Sequence, residues 1–435
     1  MQRSVGLAFA LSLFSPAIWA QAEVPSKPLL QEPWQVGIGT APVAGDRDGT
    51  LRYNVTFKAR SFDVEAFRRA VEAHESAAVV GDIVHDLEQR ARTEQEPFRK
   101  TIEALGGGIR IQFWLINACN IEIPPAQLAA VRAMPNVLAI DPDLPTYPLT
   151  FGARPMIKIK VSTDVNHHNA DGEQAIGNKG NGASVAIVDT SQNDNLHGVN
   201  MPHMGYYRNA DRTNHTGGGM DGSRLLANVQ KGSQPANNSA AHGSGVAGIA
   251  AGAGWLTPGQ DQGHASDAGI VGYSICDVAG SCNSTLAIEA AGWQQVAADK
   301  VLYNIVAANM SYGSSPNVTD VSQQAIDACA INANVLPCTA AGNSGPGSGS
   351  TTGSSSTCNG LAVAAIDPSN KTVAGFSSRG PISDGGGTRI FPDIAGCGVN
   401  TVMPQWGNES ADFVASGTSM ATPQVTGAAG LVRSA

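Results

Sequence analysis

From Gly182 onward, short apolar runs alternate with stretches of small residues at helical spacing. Ala183 to Val188, Ala268 to Tyr273, Ile305 to Met310, Val335 to Thr339 and Leu361 to Ile366 read as buried strands, while Thr285 to Ala298 and Val321 to Ala330 read as helices. Continuous apolar strands separated by helices predict a parallel α/β sheet covered on both faces. Ligands of such sheets sit beyond the carboxyl ends of the strands. The preceding part of the chain has a different rhythm. Tyr53 to Ala59 alternates like a strand, Asp63 opens a long helical stretch to Leu105, and Gly106 to Gly108 end it. Ile109 to Ile123 reads as two strands meeting near Asn117, Pro124 and Pro125 start a helix over AQLAAVRAM, and Val137 to Ile140 closes as a strand. The order β-α-β-β-α-β is the ferredoxin-like α+β arrangement, which an ordinary binding domain can also adopt.

Several segments lack either rhythm. Residues 23–49 are rich in Pro and Gly and read as a linker, and Phe151 to Gly180 is an irregular polar connection. Asn209 to Gly222 and Gly345 to Ser356 are Gly/Ser-rich and read as surface connections. Residues 1–22 combine Arg3, an apolar run from Val5 to Leu13, Pro16, and small residues at Ala20 and Ala22. That is the pattern of a secretory signal peptide, too short and wrongly flanked for a membrane span. Export to the extracellular space or periplasm is therefore expected, with no membrane partner. The formal net charge of -9 offers nothing that would attract nucleic acid. Of the seven cysteines, Cys119 stands alone, while Cys276, Cys282, Cys329, Cys338, Cys358 and Cys397 lie in the second half. In an exported domain those six permit three disulfides, and Cys276 with Cys282 would close a short loop. Metal binding by cysteine is the competing reading, but the chain has no CxxC pair.

Candidate chemistry gathers at four places. ASGTSMATP puts Ser419 at the first turn of a small-residue helix, where unpaired N–H groups and the helix dipole suit a hydroxyl nucleophile beside a developing oxyanion. Asp189 ends the apolar strand VAIVDTS, and a carboxylate there must be hydrogen-bonded; orienting an imidazole is one way. His242 opens HGSGVAGIAAG; taken alone, it is more often a buried structural histidine than a base. Asn343 in AAGNSG is alone more often a turn former, although its amide could donate to an oxyanion.

Taken together, in the order Asp189, His242, Ser419, these residues follow the subtilisin arrangement. HGSGVAG, NMSYGS, AAGNSG, GTSMATP and AVAAIDPSNKTVAGFSSRGP all resemble patterns of the subtilases, the subtilisin-like serine peptidases, from about Asn169 to the end. The resemblance implies a subtilisin-like parallel sheet flanked by helices over residues 165–435. It implies Ser419 as nucleophile, His242 as general base and then acid, Asp189 as its orienter and Asn343 as oxyanion donor. Ser311, Tyr312 and Gly313 would be the strand on which polypeptide substrates lie, and Ala340, Ala341 and Gly342 would line the pocket for the residue before the scissile bond. The unit at 50–150, with NACNIEIPPAQLAAVRAMPNV leading into LAIDPDLPTY, is similar to the family's inhibitor-type propeptides. On that resemblance the chain is the zymogen of a monomeric secreted endopeptidase. Its own propeptide is the intramolecular inhibitor, residues 141–151 fill the groove, and cleavage falls between Tyr147 and Asn169.

Several features depart from the family pattern. The usual D-T-G or D-S-G reads Asp189-Thr190-Ser191 here, the Asp189 to His242 stretch is long, and the family normally continues past a point equivalent to Ala435, so a C-terminal truncation is expected. No cofactor is required by this chemistry. Structural calcium is frequent in the family, and Asp194, Asp211 and Asp221 offer oxygens without diagnostic spacing. The alternative from another class is an inactive binding protein or incomplete fragment on the same scaffold. A serine-carboxyl peptidase is disfavoured by His242, and an α/β-hydrolase by the lack of any GxSxG. A working triad predicts activity that rises as His242 loses its proton.

Overall fold

The computed structural model describes residues 41–148, 170–192, 194, 201–237, 242–255, 262–314, 319–383, 388–405 and 407–435. All belong to one compact unit, Trp34–Ala435. The signal-peptide reading, most of the linker and the expected cleavage region from 149 on lie outside the described residues.

The N-terminal part runs β1 (Leu51–Phe57), α1 (Glu65–Glu72), α2 (Ala77–Ala104), β2 (Gly108–Gln112), β3 (Ala118–Ile123), α3 (Leu128–Arg132) and β4 (Val137–Pro142). Its antiparallel sheet has the order β2-β3-β1-β4, as the ferredoxin-like pattern requires. Two details differ from the sequence reading. The long helix from Asp63 is two helices, because His74 turns the chain at φ +54° and the Ser76 hydroxyl caps α2 by accepting the Val79 N–H at 3.4 Å. Residues 43–49 are not free linker. The Gly45 N–H donates to the Thr50 carbonyl at 2.9 Å and the Arg52 N–H to Val43 at 2.8 Å, which folds this stretch back against β1.

After β5 (Pro145–Pro148), the second part begins with α4 (Ala170–Ala175), β6 (Ser184–Asp189), β7 (Leu225–Gln230), α5 (His242–Ala251) and β8 (Gly269–Ser274). It continues through β9 (Ser284–Thr285), α6 (Leu286–Asp299), β10 (Ile305–Met310), β11 (Tyr312–Gly313), α7 (Val321–Ala333), β12 (Leu336–Ala340), β13 (Leu361–Asp367) and β14 (Thr372–Val373). Short strands follow, β15 (Ile382–Ser383), β16 (Thr388–Arg389), β17 (Ile394–Cys397), β18 (Thr401–Pro404) and β19 (Asp412–Ala415), before α8 (Thr418–Ser434). The main sheet has the order β14-β13-β12-β10-β6-β8-β7, with β17 also on β13, and is parallel except at β14. Strand β6 explains why the apolar run is unbroken. Val185 and Ile187 pack towards α5 and α8, while Ala186 and Val188 pack towards α6 and α7, so both faces are buried. Because the chain leaves β6 for one side and reaches β10 on the other, the carboxyl end of β6 is a topological switch point.

Gly345 to Ser356 is not a plain surface loop. Thr351, Thr352, Ser355 and Ser356 are buried, and the Thr352 hydroxyl donates to the Ala340 carbonyl at 3.2 Å. Among the described residues one disulfide is formed, Cys276–Cys282, while Cys119, Cys329 and Cys338 are buried thiols and Cys358 is exposed. No described helix is long and apolar enough to cross a membrane.

The two parts share a core. Phe67 of α1, Leu87 of α2 and Trp114 join Trp293 of α6 and Ile326 of α7 in one apolar cluster, and the Trp114 N–H donates to Gln294 at 2.8 Å. Polar groups close its edge. Buried Asp143 accepts from Asn120 at 3.2 Å and from the Ala287 N–H in the first turn of α6 at 3.0 Å. Arg52 pairs with Asp277 at 3.1 Å.

Glu289 of α6 accepts from Ser322 at 2.6 Å, and burial pushes its carboxyl up to about 8, with Asp320 and Asp143 adding to the shift. Burial likewise pushes Asp320, the cap of α7, up to about 7, and raises Asp141 and Asp143, against the pull of Arg132 and Arg52. These folded values lie above the open-chain range near pH ~4. The carboxyls therefore contribute stability that is complete below that range and lost as pH rises through 7 to 8. The thermal midpoint of the full-length Ser419→Ala chain should fall between pH 5 and 9, and Glu289→Gln should flatten that fall. An unchanged slope in Glu289→Gln would assign the pH dependence to other groups.

Candidate active site

Each of the four chemical residues sits where the fold turns a backbone end toward one place. Asp189 is the last residue of β6, at the switch point, and is 1% exposed. Its Oδ1 accepts the Thr190 N–H at 2.7 Å and lies 2.7 Å from His242 Nδ1. An ionised carboxylate can only accept, so Nδ1 carries the proton and Nε2 is left with its lone pair. That nitrogen has no hydrogen-bond partner in the structure.

His242 is the first residue of α5, and the helix start is seated directly on the Asp189 turn. The Gly243 N–H donates to Thr190 Oγ1 at 2.9 Å, and a Cβ on Gly243 would fall 2.4 Å from the Ser191 carbonyl. Only glycine allows that approach. Ser191, by contrast, is not among the residues with positive φ, so the turn accommodates a side chain where the family pattern has glycine.

Ser419 is the second residue of α8 and fully buried, with its hydroxyl donating to the Ser311 carbonyl at 3.2 Å. Pro423, inside α8, has no N–H for the carbonyl four residues back. That carbonyl belongs to Ser419, and the Ser311 hydroxyl approaches it at 3.4 Å. Ser311 is held in turn by Asn309 at 3.0 Å, and Asn309 by Thr426 at 3.3 Å. The hydroxyl of Ser419 is thus not bonded to His242. Such contacts are often long without substrate and tighten in the reacting complex.

Asn343 is fixed through its oxygen. The Thr418 N–H and hydroxyl both donate to Asn343 Oδ1 at 2.9 Å, which sends Nδ2 the other way, buried and without a partner. Thr418 was not singled out from the sequence, although its place directly before Ser419 in GTSM is the available signal. A buried amide donor with no acceptor is costly unless an acceptor arrives during the reaction.

Of the residues expected to bind substrate, Ser311 lies against Ser419, and the Gly342 N–H donates to Thr418 Oγ1 at 3.2 Å. Tyr312 and Gly313 pair antiparallel with Pro148 and Tyr147 of β5, and on its other side β5 pairs with β9 through Pro145 and Thr146. Ala340 and Ala341 are fully buried, and Thr352 takes both of their carbonyls, so these alanines offer only methyl groups to a ligand. A small groove of about 60 Å³ lined by Phe57, Phe62, Phe98 and Phe113 lies in the N-terminal part and shares no residue with this site.

Each candidate calcium-binding carboxylate has a local partner on one oxygen, while Asp194 Oδ1 is buried without one. Asp211 accepts from Thr213 at 2.7 Å, Asp221 from Tyr207 at 2.5 Å, and Asp194 from Asn228 at 2.7 Å. Among the described residues no three His, Cys, Asp or Glu side chains are grouped to hold a metal ion.

A parallel α/β sheet that brings a hydroxyl at a helix start, an imidazole on a buried carboxylate and an orphaned amide donor to one end defines a serine hydrolase of the peptidase type. A family model, Peptidase_S8 (Subtilase family), matches residues 180–435, more than half of the chain, and the chain belongs to that family. It is a subtilisin-like serine endopeptidase. It is 28% identical to serine protease AprX of Bacillus subtilis (strain 168) over 348 residues, 74% of this chain and 71% of that protein. It is 42% identical to the subtilisin-like protease PopC of Myxococcus xanthus (strain DK1622) over 107 residues, 24% of this chain and 21% of that protein. A solved structure titled S41 Psychrophilic Protease is 26% identical, with a TM-score of 0.45, over 58% of this chain and 77% of that one.

Proposed function

We propose that the chain is the self-inhibited precursor of a secreted endopeptidase. In this reading Ser419 attacks the peptide carbonyl, His242 takes its proton and returns it to the leaving amine, and Asp189 holds the imidazole. Asn343 Nδ2 receives the oxyanion, and water then releases the acyl group from Ser419. Substrate would lie along Ser311 to Gly313 by strand addition, with Ala340 to Gly342 walling the first pocket. Residues 1–22 direct export, 50–150 inhibit, and 165–435 form the monomeric peptidase. The chemistry needs no cofactor.

The observation that carries this reading is the position of β5. It fills the slot between β9 and β11, one residue from the Ser311 carbonyl that accepts the Ser419 hydroxyl. A segment lying where substrate must lie excludes substrate, and cutting after it would convert precursor to enzyme. The test is intact mass and N-terminal sequencing after export, with a fluorophosphonate probe. Loss of a segment ending between 147 and 169, followed by labelling at Ser419, is expected; a full-length chain that nonetheless cleaves casein would sink the proposal.

The oxyanion role has a separate check. Asn343→Ala removes the preorganised Nδ2 donor together with the oxygen that accepts from Thr418, so kcat should fall by at least about 10²–10³ with KM nearly unchanged. An equal rise in KM with kcat preserved would mean that Asn343 binds ground-state substrate instead.

A further inference from the structure

We infer that Tyr206 and Gln192 are positioning residues for His242: from outside the catalytic motifs, they hold the first-turn carbonyls of the helix that carries the imidazole. The inference rests on the reading of His242 as the base.

A residue that opens a helix is held weakly, because the first turn lacks half of its intrahelical hydrogen bonds and helix ends fray. His242 occupies that place in α5, yet its Nδ1 must stay within hydrogen-bond reach of a carboxylate on a different element. Thr190 grips the turn from below through the Gly243 N–H. The opposite grip comes from two buried side chains. Gln192 Nε2 donates to the Gly243 carbonyl at 3.2 Å, and Gln192 Oε1 accepts the Tyr206 hydroxyl at 2.7 Å. The same hydroxyl is 3.0 Å from the Ser244 carbonyl. Its single proton thus lies between two acceptors, one on the Asp189 turn and one on α5. Tyr206 and Gln192 are 0% and 1% exposed, so water does not compete for these bonds.

The far end of α5 is tied to the same segment. Arg224 is fully buried and donates to the Ala251 carbonyl at 2.7 Å, to Ala268 at 2.7 Å and to Gly205 at 2.9 Å. Its backbone N–H donates to the Tyr206 carbonyl at 2.8 Å. A cation at the last carbonyls of a helix is favoured by the helix dipole. Its burial lowers the guanidinium to about 10 and leaves it charged at working pH. The stretch from Gly205 to Arg224 therefore clasps α5 at both ends, with Tyr206 at the end that matters for the base. Loosening that end lengthens the His242–Asp189 contact, so the imidazolium formed in the reaction loses stabilisation while substrate contacts elsewhere are untouched.

The experiment compares full-length wild type with Tyr206→Phe, Gln192→Met and the double variant after export and maturation. Competent sites are counted by complete fluorophosphonate labelling. Per labelled site, Tyr206→Phe should lower kcat about tenfold, the effect of one buried hydrogen bond, with KM within about twofold. The acid limb of its kcat/KM profile should move to lower pH. The double variant should be no worse than the more damaged single variant, because both act through one turn. If the losses appear only as fewer labelled sites or a lower melting temperature, with per-site kcat and the acid limb unchanged, the two residues merely pack and the inference is overturned. Should Tyr206→Phe yield no folded protein, Gln192→Met is judged by the same criteria. A wild type that neither labels nor hydrolyses peptide overturns the reading of His242 itself, an outcome distinct from an active wild type with unaffected variants.

Discussion

Ser419→Ala is expected to give a chain that folds, stays full length and hydrolyses peptides on the order of 10⁶-fold more slowly than the wild type, the scale of loss when a serine nucleophile is removed. The change removes a single oxygen. That oxygen donates to the Ser311 carbonyl at 3.2 Å, and Ser311 retains its contact with Asn309 at 3.0 Å. The helix start stays anchored by Thr418 on Asn343 at 2.9 Å. Stability should therefore change little while chemistry stops, and that contrast makes the result interpretable. Two measurements decide it: circular dichroism with thermal melting for the fold, and mass with turnover for the chemistry. A variant that matures in purified form and cleaves casein at a measurable fraction of the wild-type rate would remove Ser419 from the reaction.

The sequence displayed the chemistry more clearly than the framework that serves it. Ser419 behind Gly417 and Thr418, and His242 ahead of Gly243, are legible because close approach and helix starts demand small residues at fixed offsets. The unbroken apolar strands around Val185 to Val188 announced a sheet buried on both faces. Strand β5 carries no such mark. PTYP has two prolines and too few residues for alternation, and its extended form comes from β9 and β11, which are remote in sequence. A place for this segment beside Tyr312 and Gly313 is implied only by resemblance to a family. The break between α1 and α2 falls at His74, where neither Gly nor Pro gives warning. Thr352 was hidden because a Gly/Ser-rich stretch reads as surface, and Tyr206 because no motif marks it; both side chains are buried through partners that the sequence does not place nearby.

Asp189→Asn is expected to reduce kcat by about 10⁴ while leaving substrate affinity and most of the stability in place. The side chain keeps its shape, so the fit at the end of β6 is preserved. What changes is the charge and the donor pattern around His242 Nδ1. In the wild type Oδ1 accepts from both the Thr190 N–H and the imidazole, each at 2.7 Å. An amide that turns its NH₂ to the ring would force Nδ1 to accept, moving the proton to Nε2 and leaving no base for Ser419. An amide that keeps its oxygen there retains the tautomer but offers no negative charge to the imidazolium. Either orientation costs rate, and both should act on the same limb of the pH profile. The second carboxylate oxygen sharpens the expectation, because Oδ2 of Asp189 is buried without a partner, so the Thr190 N–H on Oδ1 is the donor that shares its charge with the imidazole. The check is kcat and KM across pH 5 to 10 for wild type and Asp189→Asn, alongside fluorophosphonate labelling rates. A variant within tenfold of wild type at neutral pH would show that Asp189 caps its strand without orienting the base, and that another group must stabilise the charged imidazole.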